Sequence, residues 1–329
     1  MLRVLVDEYI HHAVPVASDS VAHKMPTPVS SATVRNEIAT LEEEGYVLRP
    51  HTSAGGVPSD KAYRAYVESL GDVQEPSRKV KEIIKRNFPS ATVDVEARNR
   101  VAVRLLAEVV HAMAVATMPT AAQARWKHVD LVHLQGLLTL FIMVMEGSAR
   151  LKQQQMLMKE TLSQDQLTQV ANKLNAKLTG LSTEEVVALS DEFNVVEQEF
   201  IGHAVAVMRQ EQQQTVPEHF VDGLRHIFTY PELAEGTRAR ALAEVLEYQQ
   251  LVKALQENIP QRGIVRVTIG AEHKEDLLRP FTIVFARYGT ESGGSGVIGV
   301  LGPTRFEYAA AISNVRYVAA LMGEMVEAG

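Results

Sequence analysis

The first 70 residues carry three short apolar stripes, each with the spacing of a buried helix face. Pro26 and Pro28 separate the second stripe from the third and predict a turn there, because proline cannot continue a helix. Three helices with a tight turn between the last two are therefore predicted, which is the order of a helix-turn-helix. The stripes consist of Leu2, Leu5, Val6, Tyr9 and Ile10, of Val21, Ala22 and Met25, and of Val34, Ile38 and Leu41.

The third predicted helix has a polar face opposite its apolar stripe, and Ser30 or Ser31 is expected to cap its N-terminus. Arginine can hold a guanine edge with two hydrogen bonds, asparagine an adenine edge, and alanine or a threonine methyl group can contact thymine. Glutamates 42–44 would repel phosphate, so the N-terminal half of the helix is expected to enter the major groove. The candidate DNA contacts on this face are Ser31, Ala32, Thr33, Arg35, Asn36 and Thr40.

A short strand, a polar loop and a return strand are predicted after the third helix. The expected strands are Tyr46–Arg49 and Val57–Pro58, with the loop at 50–56, and Ser59 or Asp60 then caps a further helix. Such a loop can reach an adjacent minor groove or the phosphate backbone. Residues 1–70 are thus interpreted as a winged-helix DNA-binding domain, and the candidate contacts in its wing are Arg49, His51, Thr52 and Ser53.

The charge of this segment leaves a second interpretation open. Residues 1–70 hold six Lys/Arg against nine Asp/Glu, so the net positive charge expected of a DNA-binding domain is missing. A winged helix that binds protein is the alternative. If DNA is bound, a few placed contacts and the avidity of a dimer must supply the affinity.

From residue 71 onwards the pattern predicts helices, three strands, an interruption, three more strands and a last helix. This order is typical of an α+β sheet domain with an insertion. The sheet domain is assigned residues 71–159 and 230–329, and the mainly helical insertion residues 160–229. Helices are expected at 80–88, 101–118 and 309–326, and strands at 129–134, 137–145, 149–158, 264–269, 281–285 and 296–301.

The insertion contains more apolar helix surface than so few helices can bury in a large core. A subunit interface is the favoured use of its stripes, which makes the insertion a dimerisation domain, and packing within the chain is the alternative. The clearest stripe ends at Gly180 and consists of Leu162, Leu167, Val170, Leu174 and Leu178.

Composition narrows the class of protein. The chain has 329 residues, no cysteine and a formal net charge of −7. A chain of this length is too long for a single ordinary domain. The lack of cysteine excludes disulfides and thiol catalysis. The negative net charge argues against non-specific binding of nucleic acid by the whole molecule. The longest uncharged apolar run, 137–145, is far below the roughly 20 residues of a membrane span. With no secretory signal pattern, a cytoplasmic protein without membrane contact is expected.

Three clusters that might carry chemistry have simpler explanations. Gly293–Gly296 lacks the Gly-Lys-Ser/Thr ending of a phosphate loop and is expected to be a hairpin. His128 and His133 point to opposite faces of a predicted strand and cannot share a metal. Gly302–Arg305 suits a structural cap, or a domain or subunit contact, at least as well as an anion site. No nucleophile–base pairing is visible, so no cofactor, metal or enzyme activity is expected.

Motifs at both ends of the chain resemble those of bacterial HrcA-type heat-inducible transcription repressors. The matching segments are VSSATVRNE at 29–37, LEEEGY at 41–46, PHTSAG at 50–55, PSDKAYRAYV at 58–67 and LGPTRFEY at 301–308. The resemblance implies a winged helix-turn-helix followed by a GAF-like domain that hosts an inserted dimerisation domain. Gly56 stands where the family usually has arginine, so Gly56→Arg is expected to strengthen DNA binding.

The resemblance also implies a function. It points to a dimeric repressor of chaperone operons that binds the inverted-repeat CIRCE element on double-stranded DNA, with the GroE chaperonin as modulator. The alternative is a regulator whose GAF-like domain binds a small ligand. A GAF-type enzyme is a third interpretation and the weakest of the three. Calorimetry against metabolites would test the ligand, and a footprint on cognate DNA would test the repressor.

Overall fold

A computed structural model describes the chain except residues 50, 52–54, 89–93, 121–123, 147–150, 213–216, 232–241, 246–249, 291–293 and 328–329. The described residues form a mixed α+β structure in which every paired strand is antiparallel. This agrees with the predicted fold class. Among these residues no helix is long and apolar enough to cross a membrane.

The N-terminal residues fold in the order helix, helix, helix, strand, strand, helix. Their elements are α1 (Leu2–His12), α2 (Ser18–Lys24), α3 (Ser31–Glu43), β1 (Val47–Leu48), β2 (Val57–Pro58) and α4 (Asp60–Ser69). A small core joins the first three helices, β1 and the segment between α1 and α2, because each contributes one or two buried apolar side chains. This core contains Leu5, Val16, Val21, Val34, Ile38 and Val47.

A five-stranded sheet forms the centre of the molecule, with the strand order β7-β3-β10-β9-β8. Helices α6 and α12 cover one face of the sheet, and α10 and α11 lie against the other. Its elements are α5 (Arg78–Asn87), α6 (Val95–Val110), β3 (Met113–Thr117), β7 (His219–Asp222), α10 (Leu224–Ile227), α11 (Gln250–Glu257), β8 (Val265–Ile269), β9 (Phe281–Thr290), β10 (Gly294–Pro303) and α12 (Tyr308–Glu327).

The insertion is larger than the sequence predicts, and it has its own sheet. Its strands pair in the order β4-β5-β6 and make no ladder with the central sheet. The last ladder residue of the central sheet before the insertion is Thr117 and the first after it is His219, while Thr120 still bridges Ser295 of β10. The predicted boundaries at 160 and 229 therefore differ from the limits of the separate sheet and its helices. The elements are β4 (Arg125–Gln135), β5 (Leu138–Glu146), β6 (Lys152–Leu157), α7 (Gln164–Leu178), α8 (Thr183–Leu189) and α9 (Val195–Gln212).

One predicted helix ends early and gives way to a strand. The helix expected at 101–118 stops at Val110, and His111 takes a left-handed φ of 53° that closes it. Residues Met113–Thr117 then form β3, all of whose side chains are buried. A strand that is buried on both faces shows no polar alternation, so periodicity alone could not separate it from the helix before it.

The apolar stripe of α7 packs inside the insertion. Leu167, Leu174 and Leu178 are fully buried in one core with the inner face of the three-stranded sheet. Asn175, on the same helix, accepts hydrogen bonds from Trp126 Nε1 at 3.1 Å and from the Val129 amide at 2.8 Å. The favoured use of this stripe as a subunit interface is therefore wrong, and the alternative of intramolecular packing is correct.

Candidate nucleic-acid interface

Helix α3 begins at a serine cap and is fixed by its apolar side. The Ser30 hydroxyl accepts a hydrogen bond from the Thr33 amide at 3.1 Å, which satisfies one of the free N–H groups at the helix start. Val34 and Ile38 are buried against α1, α2 and β1. The orientation of the helix about its own axis is thus set by its core side chains.

The side chains opposite this core are open to solvent. Ser31 is half-buried, and the other five candidates on α3 are exposed: Ala32, Thr33, Arg35, Asn36 and Thr40. Among the described residues Arg35 has no ion-pair partner, so its guanidinium is available to a ligand. The exposed face offers the donors, acceptors and methyl groups that read base edges. All six candidates therefore lie together on or beside one helix face, as their spacing predicts.

The C-terminal end of α3 is acidic, and one of its carboxylates forms an ion pair with the candidate Arg49. Glu42, Glu43 and Glu44 are exposed, and Gly45 ends the helix with a φ of 79°. Arg49 directly follows β1, and its Nε is 3.2 Å from an oxygen of Glu42. Arg49 is only 22% exposed, so its first role in this state is to join the wing base to the helix.

The wing is a short antiparallel pair with a third, single-residue partner. Val47 pairs with Pro58 and Leu48 with Val57, while Val16 exchanges two 2.9 Å backbone hydrogen bonds with Gly56. This third partner was not predicted, because a single bridging residue between two helices has no periodic pattern. His51 is exposed, and the candidates Thr52 and Ser53 lie outside the described residues.

Gly56 faces the core, which contradicts the expectation that a side chain here would reach DNA. A Cβ at Gly56 would lie 2.8 Å from Cγ1 of Val47 and 3.3 Å from Cδ1 of Leu5. Both neighbours are fully buried. An added side chain at Gly56 would therefore meet the core, and this geometry does not favour the predicted gain in DNA binding from Gly56→Arg.

The start of helix α4 fixes the C-terminal end of α3 through two hydrogen bonds. The Ser59 hydroxyl donates to the Gly45 carbonyl oxygen at 2.7 Å, and Lys61 donates to the Glu44 carbonyl oxygen at 2.9 Å. The Lys61 ammonium also lies 4.1 Å from the centre of the Tyr46 ring. One of the six cations of this segment is thus used to hold the α3 terminus.

Comparison with known proteins assigns the chain to a family. Residues 100–312 match the family described as "HrcA protein C terminal domain". A relative from Dehalococcoides mccartyi strain 195, named "Heat-inducible transcription repressor HrcA", is 37% identical over 99% of this chain and 94% of its own length. The chain belongs to the HrcA family. This confirms the resemblance of the terminal motifs and extends it over nearly the whole sequence.

Other HrcA relatives and one solved structure agree. The repressor of the same name from Chloroflexus aurantiacus is 34% identical over 99% of this chain and 92% of its own length. A crystal structure of a hypothetical protein is 21% identical, covers 99% of this chain and 97% of its own, and has a TM-score of 0.65, which shows a shared fold. The HrcA family is one of transcription repressors, which is not an enzyme class. Across the described residues no group of histidine and acidic side chains could hold a metal ion.

Proposed function

We propose that this HrcA-family protein is a dimeric, sequence-specific repressor whose residues 1–70 form a winged helix-turn-helix. The N-terminal half of α3 lies in the major groove, and the β1–β2 loop contacts the flanking backbone or minor groove. The observation that carries the proposal is the two-sided character of α3, with Val34 and Ile38 buried while Arg35 and Asn36 are exposed. The acidic end at Glu42–Glu44 tilts away from phosphate.

The operator is a CIRCE inverted repeat upstream of chaperone operons, and the GroE chaperonin modulates the repressor. Membership of a family whose members are named heat-inducible transcription repressors supports this assignment. The contacts at the base edges are made by Ala32, Thr33, Arg35, Asn36 and Thr40, with Ser31, Arg49, His51, Thr52 and Ser53 toward the backbone. The central sheet with helices on both faces is a GAF-like domain that carries the insertion.

The insertion joins two protomers through the outer face of its sheet. On β5 the residues alternate, so Phe141 and Met143 are buried in the insertion core while Leu140 and Ile142 stay partly open on the other face. The outer face is apolar along β5, where Leu138, Leu140, Ile142 and Val144 lie, with Val132 and Leu157 beside them. The other positions that the register places on this face are polar: His128, Asp130, Gln153 and Gln155. An apolar sheet face of this kind is typical of a subunit interface.

Two experiments test the proposal. A footprint of the protein on the chaperone promoters of its own genome should protect an inverted repeat, and protection of no repeat would refute the repressor assignment. Leu140→Glu should convert the dimer to monomers in sedimentation, because it places a carboxylate in the apolar interface. Gln154→Glu adds the same charge at an exposed position of neighbouring β6 that pairs with Phe141, on the opposite face of the sheet, and should stay dimeric. A dimeric Leu140→Glu variant would exclude this face.

A groove at the edge of the central sheet favours the second candidate, a repressor released by a small ligand. The groove has a volume of about 720 Å³ and lies between α4, α11 and β8. Its floor contains Leu255, Ile283 and Phe285, and its rim carries Arg266 and Lys274. Titration calorimetry against metabolite mixtures tests this candidate. Heat of binding that is measured with the free protein, but not with the protein bound to the footprinted DNA, would support it.

A further inference from the structure

The N-terminal unit is fixed to the central domain by an apolar contact. Val6 and Ile10 of α1 point away from the small N-terminal core and belong to the large core beneath α12. Tyr63 of α4 also enters this core, with its ring centre 5.9 Å from that of Tyr308. Apolar burial holds the two units together, but it is not directional and leaves their relative rotation poorly defined.

A group of directional contacts lies at one side of this apolar patch. Arg64 of α4 donates from Nε to Oε1 of Glu272 at 2.6 Å and from Nη2 to the Val267 carbonyl oxygen at 2.7 Å, and Nη2 also bonds Oε2 of Glu272. Glu272 accepts a further bond from the Ile269 amide at 2.9 Å. A guanidinium that binds a carboxylate with two nitrogens fixes angle as well as distance.

Asp60 adds a second fixed point one turn earlier on α4. Its Oδ2 accepts a hydrogen bond from the Ala271 amide at 2.8 Å. Gly270 has a φ of 52°, and a Cβ there would lie 2.0–2.5 Å from atoms of the Asp60 carboxyl group. The turn after β8 is therefore shaped to receive this carboxylate. Together Asp60, Arg64 and Glu272 form the junction clamp.

The Gly302–Arg305 motif supplies a contact at the other side of the patch. Arg305 donates from Nη1 to the carbonyl oxygen of Ile10 near the end of α1 at 2.7 Å, and its guanidinium lies 5.6 Å from the Tyr230 ring centre. Of the uses considered for this motif, the contact between domains is the one that the structure contains. The N-terminal unit is thus held at α4 by the junction clamp and at α1 by Arg305.

We propose that the junction clamp positions the recognition helix relative to the body of the dimer, so that Asp60, Arg64 and Glu272 determine which half-site spacing the repressor accepts. The inference rests on the proposed function, because only a two-site DNA reader has a spacing to select. Each base pair added between half-sites moves them by about 3.4 Å and rotates them by about 34°. A stiff junction cannot follow that rotation, whereas a loose junction can.

The burial and charge of the clamp fit a positioning role. Burial alone would raise the pKa of Glu272, but the hydrogen bonds from Arg64 and the Ile269 amide outweigh it and hold this pKa below its ordinary value. Glu272 is therefore charged at neutral pH and attracts Arg64. The side chains of the pair are 35% and 30% exposed, so solvent screens the attraction and its contribution to overall stability is small. Loss of the pair should alter geometry more than folding.

The test is a spacing series with the full-length protein. Duplexes carry the CIRCE inverted repeat with the spacer changed by one to five base pairs in each direction, and a single half-site serves as reference. The wild type should lose about 100-fold in affinity at a five-base-pair change, because the second half-site then faces the wrong side of the DNA. Glu272→Gln and Arg64→Met should lose less than about 10-fold over the same change, with half-site affinity unaltered.

The double variant and a remote pair provide the controls. Because both residues act through one contact, Glu272→Gln with Arg64→Met should flatten the profile no further than either change alone. Arg78→Met removes the cation of an exposed ion pair with Glu82 on α5 and should keep the wild-type profile. Variants that fold and keep the wild-type profile would overturn the inference. A wild type that binds neither duplex would refute the repressor proposal itself, and the positioning role with it.

A second measurement needs neither DNA nor a dimer. The chain has no cysteine, so Glu43→Cys at the end of α3 and Lys253→Cys on α11 place two spin labels uniquely, and both positions are exposed. Protein with labelled chains diluted in unlabelled chains should give a narrow distance distribution by electron paramagnetic resonance. Adding Glu272→Gln should broaden it. An equally narrow distribution would show that the clamp does not fix orientation.

Discussion

Gly56 offers the sharpest test of how the wing is built. Its amide and carbonyl are both bonded to Val16 at 2.9 Å, so the backbone cannot retreat without loss of two hydrogen bonds. A methyl group at this position would lie 2.8 Å from Cγ1 of Val47 and 3.3 Å from Cδ1 of Leu5. Overpacking of this degree costs about 1–3 kcal/mol, so Gly56→Ala should destabilise the N-terminal unit by that amount. Gly56→Arg must also accommodate a charge and should cost at least about 3 kcal/mol.

Hydrogen exchange in the full-length protein measures this effect locally, at peptides that cover α3. A loss of 1–3 kcal/mol corresponds to about 5- to 150-fold faster exchange where local opening limits the rate. Gly202→Ala is the matched control, because Gly202 is exposed in α9 and nothing lies within 4 Å of its added Cβ. It should stabilise α9 by about 0.5–1 kcal/mol and leave α3 unchanged. A Gly56→Arg variant with wild-type exchange and a steeper salt dependence of DNA binding would refute the inward orientation.

Three other changes test the interface and the junction. Arg35→Ala should lose about 1–3 kcal/mol of discrimination at one base pair per half-site with unchanged folding, measured by titration of operator variants; wild-type specificity would exclude α3 as the reading helix. Glu42→Gln should release Arg49 toward phosphate and steepen the slope of log affinity for DNA against log salt concentration by about 0.9. Glu43→Gln removes an equal charge and should not change this slope. Equal slopes in the two variants would mean that Arg49 does not reach DNA. The pKa of Glu272 lies below its unfolded value of about 4.3, so its stabilisation is complete above that pH and is lost as the pH falls through the lower folded value. The free energy of unfolding of Glu272→Gln should therefore fall less steeply than that of the wild type as the pH is lowered below about 4.3. Identical pH dependence in the two proteins would contradict the assignment.

Much of the N-terminal unit could be predicted from the sequence, because its information is local. Val34 and Ile38 recur at helical spacing, and the position of Arg35 on the opposite side follows from the same geometry. The orientation of Gly56 could not be predicted, since it depends on a bridge to Val16, 40 residues earlier in the sequence. A position where the family resemblance implies arginine need not have the surroundings that an arginine requires.

The insertion shows the opposite limit. The sequence predicts strands at 129–134, 137–145 and 149–158, and the structure has a strand at each place. Sequence order, however, assigns all three to the central sheet, whereas they form a separate one. The pairing of β3 with β7 marks where the two sheets separate. β3 is buried throughout and β7 has only four residues, so neither strand gives a clear periodic signal. The stripe with Leu174 was likewise recognised as apolar, but periodicity cannot state whether its partner is the same chain or another. That choice depends on what the rest of the fold places opposite it.

The ladder between β3 and β7 has a consequence for the modularity of the chain. Thr117 and His219 face each other in register, and the Met118 amide donates to the Glu218 carbonyl oxygen at 2.7 Å. The two crossing points are thus adjacent, as they are at the ends of a hairpin. A whole module can enter or leave a protein at such a site with little disturbance to its host, since a tight turn would close the same gap. Replacement of residues 119–217 by a two-residue Asn-Gly turn should therefore leave a folded monomer with a single DNA-binding unit.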